Sequence, residues 1–282
     1  MRFFRILSSL CLFMIFFITK VYGLNIVVSN SALEKIVKEI ASTKQHVITL
    51  QSEKRDFHSF EPTFSQWNLI RNADLVVIVG TEHWATKVYQ IRANKPLLSL
   101  ARGQTRFADP HLWFDLNRVK SLASDLVQFL EVRDPGNKIF YRESLQQFLK
   151  TVNLLEAKII GLKNCQYKEV YILGHPVFSY LLTPCGIKEK TLIKGHHKEG
   201  EPSVKILTEI LQNIQKRSPK IVFITDPEFE NYVSLFKSKG IEVIKLWSGG
   251  TYRFQGSFTE LLDYNLSWLS YALGCKNSFY RR

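Results

Sequence analysis

Three histidines share a position in the chain's pattern. His58, His111 and His175 each follow a short apolar run that ends in turn residues. His58 lies in "RDFHSFEP", past the run "HVITLQ"; His111 lies in "FADPHLWFDL", past "KPLLSL"; His175 lies in "ILGHPVFSY", directly after "EVYILG". Neutral imidazole is the commonest transition-metal ligand, and three ring nitrogens at about 2.0–2.1 Å suit zinc. Carboxylates stand close by: Asp56 and Glu61 around His58, Asp109 and Asp115 around His111. A carboxylate that accepts the second ring N–H fixes both tautomer and ring orientation. A single loop histidine is more often solvated than ligating, so the expectation of a metal site rests on the common position of the three. His46 and His83 open a strand and a helix and carry no such signal, and the pair His196–His197 in "IKGHHKEGEPS" reads as a solvated loop.

The elements that must hold these residues alternate. "LNIVVSN" (24–30) reads as a strand, and 31–42 places Leu33, Ile36, Val37 and Ile40 on one helical face. Strands are expected at 46–51, 74–80 and 96–100, with helices over 63–73, 82–93 and 117–132. "DLVVIVG" is apolar without alternation, as a strand buried on both faces must be. A second series repeats the rhythm, with strands at 169–174, 220–225 and 241–246 and helices at 202–217, 231–240 and 258–273. Alternating strand and helix argue a parallel sheet wrapped by helices. Between the series, Asp134 and Pro135 open a stripe running through Leu145, Phe148, Val152, Leu155, Ile159 and Leu162. About 29 helical residues span roughly 43 Å. The expected organisation is therefore a segment 1–23, an α/β lobe over 24–133, a rigid linking helix over 134–164 and a second α/β lobe over 165–282. Ligands of open α/β sheets bind beyond the carboxyl ends of strands, where the three histidines fall, two on one lobe and one on the other.

The 282 residues are 45% hydrophobic with a formal charge of +13, ample for two cores. Arg2 and Arg5 precede an uncharged apolar run from Ile6 to Ile18, with a permissive cut after Gly23. This has the form of a secretory signal, an uncleaved anchor being the alternative. Cys11 lies inside that run without a lipobox-like context. Removal of 1–23 takes away Arg2, Arg5 and Lys20, leaving 35 basic against 25 acidic residues, or +10. Export sets aside nucleic acid as the partner of this charge, and no helix gathers it on one face. Cys165, Cys185 and Cys275 remain, and export permits one bridge whose pairing stays open.

"FHSFEPTFSQWNLIRNADLVVIVG", "DPHLWFDL", "GHPVFSYLLTPCGI" and "GEPSVKILTEI" resemble, in order and across the mature chain, the motifs of the zinc- and manganese-binding substrate-binding proteins of bacterial ABC importers. The resemblance implies two Rossmann-like α/β lobes joined by one long rigid helix, with metal in the cleft between them. It implies His58, His111 and His175 as metal ligands, a membrane permease as partner, a monomeric receptor and an extracytoplasmic location. Two departures stand out. Trp247, in "KLWSGG", occupies the place of the family's fourth ligand, an Asp, and the stretch before His111 has no His-rich loop. Indole carries only an N–H donor and cannot ligate. The fourth position then falls to water or, less favoured, to a carboxylate such as Glu228 or Asp226, the latter being expected to cap the helix opening at Pro227. A site of imidazoles without an anionic oxygen favours Zn²⁺ over Mn²⁺.

Two other functions are open to the same residues. A secreted zinc hydrolase would also use three ligands and a water, but no His-Glu-x-x-His helix or nucleophile–base motif is present. A relative that has lost metal affinity and serves in adhesion is the other alternative.

Overall fold

The computed structural model describes residues 23–51, 59–104, 107, 109–195 and 202–276. The first lobe runs β1 (Asn25–Val28), α1 (Ser31–Ala41), β2 (His46–Thr49), α2 (Phe64–Asn72), β3 (Leu75–Ile78), α3 (Ala85–Ile91) and β4 (Leu97–Ser99). The helices α4 (Leu116–Arg133) and α5 (Lys138–Gly161) follow. The second lobe runs β5 (Glu169–Leu173), α6 (Ser179–Leu182), β6 (Lys188–Thr191), α7 (Val204–Gln215), β7 (Ile221–Ile224), α8 (Val233–Ser238), β8 (Glu242–Lys245) and α9 (Phe258–Ala272).

Each lobe holds a four-stranded sheet of parallel strands, ordered β2-β1-β3-β4 and β6-β5-β7-β8. β1 sits between β2 and β3, pairing Ile26 with Val47 and with Leu75. β5 sits between β6 and β7 in the same way, with Leu173 opposite Ile224. Strand order thus reverses beside the first strand of each sheet, opening a crevice at the carboxyl ends. All four residues of β3 and of β7 are buried, the continuous apolar signature of central parallel strands.

The short helix α6, the strand β6 and the linking helix differ from the sequence-based expectation. β6, "KEKT", has no apolar run; it is an edge strand whose lysines face water, a common way to block further pairing. The linking helix is 24 residues long, flanked by 3₁₀ turns at Pro135–Asn137 and Leu162–Asn164, so it spans about 36 Å rather than 43 Å. Asp134 does not cap it. Its carboxylate instead accepts from Tyr141 Oη at 2.5 Å, Gln45 Nε2 at 2.9 Å and Asn137 Nδ2 at 2.9 Å.

The largest core cluster is shared by the lobes. It joins Leu33 and Ile36 of α1, Phe148, Val152 and Leu155 of α5, and Phe258 and Leu262 of α9, all buried. Along one face of α1, residues four apart reach the second lobe. Ser31 Oγ donates to Gly249 O at 2.5 Å, and Lys35 Nζ donates to Phe254 O and Gly256 O at 3.2 and 3.0 Å. Glu39 accepts from Thr259 N at 3.1 Å and from the Thr259 hydroxyl. A disulfide joins Cys165, at the end of the linking segment, to Cys275 just past α9; Cys185 is free and buried. Among the described residues no helix is long and apolar enough to cross a membrane.

Candidate metal centre

His111 and His175 meet across the lobe boundary. Their Nε2 atoms lie 3.3 Å apart, and both residues are 3% exposed. Each ring turns its other nitrogen to a buried carboxylate. His111 Nδ1 lies 2.7 Å from Asp109 Oδ1, which also accepts the His111 backbone N–H at 2.9 Å. His175 Nδ1 lies 2.9 Å from Asp226 Oδ2. A carboxylate as acceptor places the proton on Nδ1, which leaves each Nε2 with a lone pair beside the other ring. Two nitrogens about 2.0–2.1 Å from one tetrahedral ion lie about 3.3–3.4 Å apart. The observed separation matches that spacing, and a carboxylate stands behind each ring.

The local sequence accounts for this placement. β5 and β7 are hydrogen-bonded neighbours with Leu173 level with Ile224. Each strand runs on two residues, which brings His175 level with Asp226. Gly174 lets them approach: a Cβ there would stand 2.4 Å from Thr225 Oγ1. In the first lobe the Asp109–Pro110 turn carries His111 into a 3₁₀ turn, Leu112–Phe114, whose residues are all buried. Trp113 packs edge-on to the His111 ring at 5.2 Å, and its indole N–H donates to Ser248 O at 3.1 Å. That contact requires glycine at 249. Its φ is +113°, and a Cβ would press to 2.5 Å from the Trp113 ring.

Asp115 is occupied as the N-cap of α4, accepting from Arg118 N at 3.3 Å and pairing with Arg118 Nε at 3.2 Å. Glu61 pairs with His83 Nε2 at 2.9 Å on an exposed face. Asp226 does stand at the N-cap position of the 3₁₀ turn Pro227–Tyr232, yet its side chain makes no capping bond and serves His175 instead. Trp247 is 1% exposed and lies in the shared core, its ring 5.8 Å from both Phe114 and Phe258. Its backbone N–H and C=O are both taken by the Asn265 amide, at 3.0 and 2.7 Å. A buried aromatic thus fills the place where the resemblance expects a carboxylate. His58, Asp56, His196 and His197 lie outside the described residues. Among the described residues no group of three or more His, Cys, Asp or Glu side chains gathers around one point, and His111–His175 is a pair of candidate residues that the structure brings together. The sequence reading missed the pairing of Asp226 with His175, because strand order, which puts β7 beside β5, is not written in the periodicity.

Two other acids, Glu189 half-buried and Glu82 buried, brace this region. Glu189 of β6 accepts from Val177 N, Phe178 N and Ser179 Oγ at 2.9, 3.0 and 3.2 Å, fixing the turn after His175. Burial pushes its carboxyl above the ordinary carboxylate range. Glu82 does the same for the end of β3, accepting from Val79 N and Gly80 N, and burial raises it too.

The family described as zinc-uptake complex component A, periplasmic, matches residues 26–271. The chain belongs to this family. It is therefore a substrate-binding protein of the metal ABC importer class, a class of receptors rather than enzymes. The metal ABC transporter substrate-binding lipoprotein FimA of Streptococcus parasanguinis is 26% identical over 212 residues, covering 67% of this chain and 69% of its own. The manganese ABC transporter substrate-binding lipoprotein PsaA of Streptococcus anginosus is 24% identical over the same length and shares. Among solved structures, the laminin-binding protein Lmb of Streptococcus agalactiae, described as a bifunctional protein with adhesin and metal-transporting activity, superimposes with a TM-score of 0.71. It is 25% identical and covers 89% of this chain and 100% of its own.

Proposed function

We propose that this chain is an exported receptor that captures Zn²⁺ in preference to Mn²⁺ and delivers it, as a monomer, to the permease of an ABC importer. The supporting observation is the His111–His175 pair, with Nε2 atoms 3.3 Å apart and Nδ1 atoms held by Asp109 and Asp226. In this reading His58 supplies the third nitrogen and a water the fourth position. Asp226 orients His175 rather than ligating. Imidazole ligands suit zinc, whereas manganese is better served by oxygen. Zinc and manganese relatives both occur in the family, so the preference rests on this ligand chemistry and not on kinship.

The test is metal competition on the mature protein. Zn²⁺ at equimolar concentration should displace bound Mn²⁺, and His175→Ala should lose both ions. Retention of Mn²⁺ against equimolar Zn²⁺ would remove the zinc preference, and full binding by His175→Ala would place the site elsewhere.

A further inference from the structure

The two histidines belong to different lobes, so something must set their separation. His175 is fixed from behind within its own lobe. The turn that follows it is held by Glu189, and α6 begins at Ser179, itself a donor to Glu189. The next residue, Tyr180, leaves that lobe. Its hydroxyl donates to the backbone carbonyl of Asp109 at 2.9 Å. Asp109 in turn holds both the backbone and the ring of His111. A continuous chain of contacts therefore runs from Glu189 through the 177–179 turn to Tyr180, Asp109 and His111, and its anchored end also carries His175. Phe178 packs edge-on to Phe114 at 5.2 Å beside it, so the bond crosses a boundary already closed by apolar contact. The hydroxyl is a dependable donor. Burial, with repulsion from Asp109 and Asp115, pushes its pKa up to about 12, so it stays protonated at any physiological pH.

We propose that Tyr180 is a positioning residue for the metal centre, setting the His111–His175 separation across the lobe boundary and thereby the rate at which the bound ion is released. This deepens the metal-capture reading and rests on it. Loss of the hydroxyl frees the Asp109–His111 turn to drift from the second lobe, while the tyrosine ring keeps its packing. The ion would then be held by nitrogens that no longer keep a tetrahedral edge.

The experiment compares wild type, Tyr180→Phe and, as control, Tyr264→Phe, which removes a hydroxyl donating to the Lys245 carbonyl at 3.0 Å. Each mature protein is loaded with Co²⁺, its visible d–d spectrum is recorded, and release of Co²⁺ and of Zn²⁺ to excess chelator is timed. One neutral hydrogen bond corresponds to about a three- to tenfold faster release in Tyr180→Phe. The d–d bands should shift in that variant alone, and the metal-free protein should melt as wild type does. Wild-type release and an unshifted spectrum in Tyr180→Phe would overturn the assignment, as would a lowered melting temperature with the spectrum unshifted, which marks a purely structural bond. A wild-type protein that takes up neither ion would sink the metal-capture reading and this assignment together; loading of wild type with an unaltered variant sinks the assignment alone.

Discussion

At the scale of single residues, the proposed centre rests on a pair of imidazoles whose orientation depends on what stands behind them. His175 owes its direction to Asp226, which is fully buried at the end of β7. Removing such an outer partner commonly costs 10–100-fold in metal affinity. Asp226→Asn keeps a carbonyl acceptor for the Nδ1 proton but loses the negative charge, and Asp226→Ala loses both. Zinc affinity should therefore fall about tenfold in the first and toward about a hundredfold in the second, as read by chelator competition. Complete loss in Asp226→Asn, equal to that of His175→Ala, would make Asp226 a ligand. His111 and its flanking Asp109 were legible in "DPHLWFDL" because a carboxylate two residues away can reach the ring of its own turn. Asp226, 51 residues from His175, was not.

Among the elements, α1 does more than cover its sheet. Its buried stripe packs into the shared core while Ser31, Lys35 and Glu39, spaced by four, face the 249–259 segment and the start of α9. Glu39 carries a cost there. Burial raises its pKa above the ordinary value of 4.5, opposed by the hydrogen bonds from Thr259. A carboxyl raised on folding adds stability that is full below its unfolded pKa and is lost as pH rises through the folded value. Urea unfolding of wild type and Glu39→Gln, which does not titrate, should show this. The stability of wild type relative to the variant should be greatest below about pH 4.5 and decline on going toward pH 7. A difference that grows with pH would mean the Thr259 bonds outweigh burial. The amphipathic pattern of α1 was plain in the sequence; the partner of its polar face was not, since that partner lies some 220 residues away.

For the whole molecule, the shared core and the α1 contacts argue against large lobe motion. α5 crosses between the sheets with no proline among its 24 residues, and kinks need such a cause. Small-angle scattering profiles of the metal-free and zinc-loaded protein should superimpose, with change confined to loops near His111, His175 and 248–253. A marked compaction on loading would refute the rigid arrangement. The Cys165–Cys275 bridge closes a loop with a sequence separation of 110 and ties the end of α9 to the start of the second lobe. Its reduction should lower the unfolding free energy by about 2–4 kcal/mol, measured by denaturant titration with and without reductant.

Periodicity and composition alone determined much of this protein. Apolar runs such as "DLVVIVG", the stripe from Leu145 to Leu162 and the alternation of strand and helix settle the two-lobed α/β class, because burial demands a period that the chain must display locally. Two of the histidines expected past strand ends, His111 and His175, do meet across the lobe boundary. Tertiary structure decided what depends on pairing between distant segments. β6 is a strand because an edge beside β5 accepts it, although "KEKT" carries no apolar signal. Cys165 bonds Cys275 because α9 returns past the end of the linking segment. Trp247 belongs to the shared core, and Asp226 belongs to His175, because the order of strands and the packing of α9 bring them there. These are contacts whose energy comes from neighbours remote in the chain, and no local pattern encodes them.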